Sequence, residues 1–135
     1  MAKNILFVCK HNAFRSKFAE SIFKRLNTKI GYKVKSAGII SSNALNPFQQ
    51  KIGKSLGFKI KGCPMPLKLA DLFWADFIII VADDVPPVLF DSMKKRGKKV
   101  IVWKIPDVRE NNEVMVKKTL SLIEDKIKIL MKNLK

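Results

Sequence analysis

The period of hydrophobic and polar positions changes repeatedly along the chain, and each change marks an element. Residues 4–8 (Asn-Ile-Leu-Phe-Val) are apolar without alternation, as in a fully buried strand, and run into Cys9. Apolar residues at 14, 18, 19, 22, 23 and 26 then share one helical face, with polar residues opposite. Residues 32–36 (Tyr-Lys-Val-Lys-Ser) alternate with period two and predict a short strand. Asn46-Pro47 has the form of a helix start. Phe48, Ile52 and Leu56 continue that helix at four-residue spacing, and Gly57 stops it. Residues 58–72 fit neither period, and Cys63-Pro64-Met65-Pro66 reads as a loop. Phe77–Val81 is another solidly apolar strand, Pro86 and Pro87 open a short helical segment reaching Lys95, and Lys99–Trp103 is a further buried strand. Finally Val116, Leu120, Ile123, Ile127, Leu130 and Leu134 recur at alternating four- and three-residue steps behind Asn112 and Glu113. That spacing predicts a long amphipathic closing helix.

Strands and helices thus alternate as β-α-β-α-β-α-β-α, and such apolar strands call for a parallel sheet covered by helices. With 135 residues and no repeat, low-complexity stretch or linker, residues 1–135 are expected to form one domain. A hydrophobic share of 47% with 28% charged residues excludes a disordered chain. No apolar run approaches the roughly 20 residues of a membrane span. The opening Met-Ala-Lys-Asn shows no secretory layout, and two cysteines supply neither a disulfide scaffold nor a four-ligand zinc site. A reducing cytoplasmic setting is therefore the expectation, with any conspicuous cysteine chemical rather than structural.

Charge changes the picture less than its size suggests. The chain carries 27 Lys+Arg against 11 Asp+Glu, a net +16. Such a surplus attracts nucleic acid, phosphorylated substrates and acidic partners alike. Yet only Arg15, Arg25, Arg96 and Arg109 are arginines, and the lysines are scattered rather than blocked. A solvated, codon-biased surface and a functional basic field both fit that pattern.

The chemistry concentrates where the first strand ends, in Cys9-Lys10-His11-Asn12-Ala13-Phe14-Arg15-Ser16. Ligands of parallel α/β sheets bind outside the carboxyl ends of the strands. A thiol there lies beside a helix N-terminus, whose unpaired N–H groups stabilise an anion and would cradle a bound oxyanion. Arg15 brings a planar fork suited to two phosphate oxygens, and Ser16 would donate a hydroxyl hydrogen bond to the sulfur. A nucleophile, an anion nest and a bidentate arginine within eight residues form an economical phosphoryl-transfer site.

The chain resembles the low-molecular-weight protein tyrosine phosphatase superfamily, which also includes the thioredoxin-coupled arsenate reductases. Four features carry the resemblance: the octapeptide, Ser36-Ala37-Gly38 after the second strand, Ala75-Asp76 before the third, and Asp107 after the fourth. It implies a three-layer α/β/α sandwich around a four-stranded parallel sheet of order 2-1-3-4. It also implies an enzyme that hydrolyses phosphomonoesters, foremost those of protein tyrosines. Cys9 would form a phosphocysteine, and Arg15 would hold the phosphoryl oxygens. Asp107 would protonate the leaving oxygen and then activate water. Lys10, His11, Asn12, Ala13, Phe14 and Ser16 would complete the phosphate-binding loop, with Asn12 keeping its left-handed turn. Ser36 would hydrogen-bond Asn12. No metal or other cofactor is needed. The expected partners are a phosphorylated protein or small phosphoester, not a membrane, for a monomer or weak dimer.

The sequence departs from the family's pattern at several positions. His11 replaces a glycine; it would be strained at positive φ, and its role stays open between loop filler, substrate-edge contact and a cation near the thiolate. Phe14 stands where many members carry a second loop cysteine. Arg109 stands where an aromatic usually follows the acid, so Phe14, Phe48 or Trp103 would have to supply a ring wall. Otherwise a basic rim at Lys10, Lys17 and Arg109 would suit another phosphoester. Cys63 reads as an incidental loop thiol, and Asp83-Asp84 as a helix cap before Val85-Pro86. Three other readings stand beside the phosphatase: an arsenate reductase, a cysteine phosphocarrier of the sugar-transport type, and a non-catalytic anion- or nucleic-acid-binding module.

Overall fold

The computed structural model describes residues 3–28, 31–40, 44–60 and 62–134. Of the stretches read above, Met1-Ala2 and Lys61 lie outside the described residues. The apolar opening segment forms β1 (Lys3–Cys9), and its last five residues are all buried. Because both faces of β1 are apolar, it occupies the middle of the sheet. The parallel strand β2 (Tyr32–Gly38) pairs on one side, with β3 (Phe77–Val81) on the other and β4 (Lys99–Trp103) beyond it. The resulting order, β2-β1-β3-β4, is the expected 2-1-3-4.

Alternation along β1 sends its side chains into two cores. Ile5 and Phe7 pack with α1 (Arg15–Leu26), α2 (Pro47–Ser55) and α5 (Glu113–Asn133), through residues such as Phe18, Ile52 and Ile123. Leu6 and Val8 face the second core, which holds Phe90 of a 3₁₀ turn (Pro87–Phe90) and Met93 of α4 (Asp91–Lys95). Leu72 and Trp74 of α3 (Leu69–Trp74) pack against that same core. The sheet is therefore sandwiched, as expected for the α/β/α architecture. No helix among the described residues is long and apolar enough to cross a membrane.

Capping explains where the helices begin. Asn46 accepts from the N–H groups of Phe48 and Gln49, and Pro47 fills the first helical position of α2. Asn112 accepts from Met115 N–H at the start of α5. Three local expectations change. The aperiodic 58–72 stretch ends inside α3, which is too short to display a period and has no buried residue of its own. The segment opened by Pro86 and Pro87 splits into the 3₁₀ turn and α4. Strand β2 continues two residues further, through Ala37 and Gly38, whose small side chains carry no alternation to read.

Phe7 joins strand and helix layers: its ring lies 6.1 Å from Phe23 and 5.8 Å from Trp103, centroid to centroid. Truncation by Phe7→Ala is expected to cost roughly 3–5 kcal/mol in a denaturant titration. A loss under about 1 kcal/mol would show that β1 is not packed as described.

Candidate active site

Cys9 ends β1 directly opposite Gly38 of β2, and the chain then turns through residues 10–14 into α1. The turn presses against the strand. A Cβ at Gly38 would fall 2.5 Å from the carbonyl carbon of His11 and 2.7 Å from the amide nitrogen of Asn12. Only glycine leaves that space. Asn12 has φ of 56°, the one left-handed non-glycine residue among those described. Its side chain secures the turn: Oδ1 accepts from Met65 N–H at 2.9 Å, and Nδ2 donates to Ser16 Oγ at 2.8 Å.

The sulfur of Cys9 receives directed donors. Asn12 N–H points at Sγ from 3.3 Å, and Ser16 Oγ lies 2.9 Å away. Because Ser16 accepts from Asn12, its own proton is available to the sulfur, the other acceptor being Ala37 O at 3.5 Å. Helix α1 has no side-chain cap and no acid in its first turn. Among the described residues, nothing accepts from the N–H groups of Ala13, Phe14 and Arg15. These unpaired amides are the donors a bound oxyanion requires.

Arg15 is 2% exposed and is the largest fully buried side chain. Its Nη1 donates to Ile105 O at 2.9 Å and lies 3.0 Å from Asp84 Oδ1, while Nη2 donates to Asp84 Oδ2 at 3.3 Å. Asp83 and Asp107 each place an oxygen 3.7 Å from the guanidinium. Nε alone, also buried, has no hydrogen-bond partner. Burial would raise the Asp84 carboxyl, but the hydrogen bond and charge of Arg15, helped by Lys10, hold it below its ordinary value. Cys9 (2% exposed), Arg15 and Asp107 line one cavity of about 180 Å³, with His11, Asn46 and Gln49 among its other walls. Gln49 is itself fixed by donating to Val108 O at 3.2 Å.

Several expectations need correction. Ser36 does not reach Asn12; it donates to Glu20 Oε1 at 2.5 Å, because its place in β2 turns the hydroxyl toward α1. Ser16 and Met65 N–H hold Asn12 instead. Asp83-Asp84 caps no helix: the 3₁₀ turn has Pro86 at its cap and no side-chain cap bond. Asp84 was legible in principle, since it follows β3 at the same sheet edge where Cys9 follows β1. His11 escapes the feared strain, because the left-handed residue is its neighbour Asn12. Lys17 belongs to no rim of this cavity; it is buried along α1 and lines a separate groove. Arg109 is exposed, and Lys10 is half-buried with its carbonyl accepting from Ile40 N–H. Of the aromatic candidates only Phe14 lines the cavity, while Trp103 and Phe48 join the first core.

A parallel α/β sandwich with an anion-receiving loop after its first strand defines a class of small phosphate-handling enzymes. Within that class, the chain belongs to the low molecular weight phosphotyrosine protein phosphatase family, whose model matches residues 4–135. No curated protein matches the sequence. Among solved structures, the arginine phosphatase YwlE from Geobacillus stearothermophilus superposes with a TM-score of 0.85 at 19% identity, covering 97% of this chain and 92% of that one. The low molecular weight protein tyrosine phosphatase of T. tengcongensis gives 0.83 at 23% identity, over 98% and 100% of the two chains. An arsenate reductase from Archaeoglobus fulgidus gives 0.74 at 27% identity, over 93% and 97%. The family and these structural neighbours are enzymes.

Two outcomes test the geometry. Gly38→Ala is expected to push the loop backbone off β2 and weaken phosphate binding by at least about tenfold in a competition titration. Unchanged binding would show that the loop does not depend on the close approach. Asp84→Asn is expected to destabilise the fold by about 1–3 kcal/mol at neutral pH. Because Asp84 titrates below its ordinary 3.8 when folded, its contribution is present above that pH and lost as the pH falls further. The stability gap between the native and substituted proteins should therefore close on acidification; a gap that widens would contradict the pairing with Arg15.

Proposed function

We propose that this chain hydrolyses phosphomonoesters through a phosphocysteine on Cys9, with phosphotyrosine in proteins as the foremost substrate. The observation that carries this reading is the buried Nε of Arg15, which lacks a hydrogen-bond partner in the cavity shared with Cys9 and Asp107. A phosphoryl oxygen supplies the missing acceptor. Nη1 and Nη2 are already held by Ile105 and Asp84, so the guanidinium is oriented before the ligand arrives.

The steps follow from the positions. The sulfur attacks phosphorus and the phosphorus–oxygen bond to the leaving group breaks, while Asp107 delivers its proton to the departing oxygen. Water then attacks the phosphocysteine, Asp107 takes the water proton, and inorganic phosphate leaves with the thiolate restored. Ser16 and Asn12 N–H steady the sulfur in both steps. The loop amides and Arg15 supply the charge stabilisation, so the scheme requires no metal or other cofactor. Two free cysteines suit the cytoplasmic setting that this reading assumes, with the protein acting as a monomer or weak dimer.

One observation favours a second substrate. Among the described residues, the cavity holds a carboxylate, Asp107, but apart from Phe14 and the His11 imidazole no ring wall for a phenyl group. Phosphoarginine, which the name of the Geobacillus relative indicates, would suit such a mouth through its guanidinium. Arsenate reduction is less well supported, since Cys63 is exposed and its sulfur contacts Met65, while Ser16 occupies the place beside Cys9.

Turnover of an activated aryl phosphate at mildly acidic pH is the direct test, run beside phosphotyrosine, phosphoarginine and thiol-dependent arsenite release. Cys9→Ser is expected to lower kcat at least about a thousandfold. Full turnover in that variant would remove the nucleophile. Asp107→Ala should slow poor leaving groups by about 10²–10⁴-fold and activated ones far less. Equal losses on both would remove Asp107 as the acid.

A further inference from the structure

A second charged feature lies outside the catalytic cavity. Grooves of about 340, 520 and 320 Å³ meet at Lys59 and run between α1, α2 and the segment that follows α2. Among the described residues, six cations line them: Lys17, Lys24, Arg25, Lys51, Lys54 and Lys59. Glu20 is the single carboxylate among those described there, and Ser36 and Lys24 already engage it. Among the described residues, the ammonium groups of Lys17, Lys51, Lys54 and Lys59 have no hydrogen-bond or ion-pair partner. Lys17 is the telling one. It is only 6% exposed, yet it lines the groove unpaired, where a buried cation calls for an anion. At the opposite end of the sheet, by contrast, Lys98 is spent on the carbonyls of Phe73 and Ala75, and Arg96 lies over the Phe73 ring.

Helix α2 borders both the groove and the catalytic cavity. Pro47 and Gln50 of α2 line its near end, and Asn46 and Gln49, their neighbours in sequence, line the cavity holding Cys9. Lys51 and Lys54 lie about 6 and 10 Å along the helix axis from Pro47. Two or three residues of extended peptide span that distance. Among the described residues, no aromatic side chain lines the groove, so unstacked bases would find no platform.

From the shared helix and the unpartnered cations we infer that the groove is a substrate-docking site for an acidic peptide segment. It would select phosphoproteins whose Asp or Glu residues begin two or three positions from the phosphorylated side chain. The inference rests on the phosphatase reading for its place in catalysis, but the groove's binding of acidic peptide is measurable without turnover.

The test compares a phosphotyrosyl peptide carrying three Glu residues, starting two positions away, with its Gln counterpart. At low salt the acidic peptide should show a KM about tenfold lower, and the difference should vanish near about 0.5 M salt. A Lys51→Glu/Lys54→Glu/Lys59→Glu variant should abolish the preference while leaving p-nitrophenyl phosphate kinetics unchanged. Fluorescence anisotropy with a labelled, unphosphorylated Glu-rich peptide reads the groove even if no phosphate is hydrolysed, a result that would sink the phosphatase reading alone. The docking site is overturned if acidic and neutral peptides bind equally or if the triple variant retains the preference. It is also overturned if an oligonucleotide binds the same lysines more tightly than the peptide does.

Discussion

The guanidinium of Arg15 is a full charge taken almost entirely out of water, and the end of the sheet is organised around meeting it. Burial of an unpaired cation costs several kcal/mol, so the chain has to bring acceptors to it. They come from distant sequence: Asp83 and Asp84 after β3, Ile105 and Asp107 after β4. One buried charge thus ties the carboxyl ends of β3 and β4 to the first helix. The apolar cores position Arg15, but its acceptors decide which way its remaining donor faces.

The sulfur is held by different means. No cation is needed in contact with Cys9; an amide and a hydroxyl do the work, and both depend on Asn12. Asn12 accepts a left-handed backbone that most residues resist, then uses both ends of its amide to tie Ser16 and the Met65 segment to the loop. Gly38 contributes by lacking a side chain. The loop lies so close to β2 that even a methyl group would meet backbone rather than a flexible side chain. Backbone does not move aside cheaply, and this makes a strand-terminal glycine part of the site's geometry.

These features were unequally legible in the sequence. The strands, the capped starts of α2 and α5, and the octapeptide were readable because period, caps and spacing are local signals, whereas the strand order came only with the family resemblance. The left-handed turn at Asn12 came with the resemblance and agrees with that residue's own tolerance of positive φ. The place of Asp84 at the carboxyl end of the sheet was legible but its partnership was not, since an aspartate after a strand caps, solvates or pairs according to what the fold brings near. Ser36 shows the same limit from the other side. The family resemblance suggested Asn12 as its partner, but in β2 its hydroxyl donates to Glu20. Lys17, one residue past the motif, follows the helical period away from the cavity and into the groove.

The net charge of +16 and the chemistry of the cavity act over different distances. Exposed lysines set a far field that draws anions toward the whole surface, and salt screens it beyond about 8 Å at physiological ionic strength. At the cavity the balance reverses, because Asp83, Asp84 and Asp107 surround the one guanidinium. An anion is therefore not stopped there by excess positive charge. The donors left for it are directed ones, namely Nε of Arg15, which has no hydrogen-bond partner, and the loop amides. Their worth depends on alignment and on exclusion of water, both of which the surrounding residues impose. Salt should accordingly weaken encounter more than grip, so a surface charge count is a guide to approach and a poor guide to what the site holds.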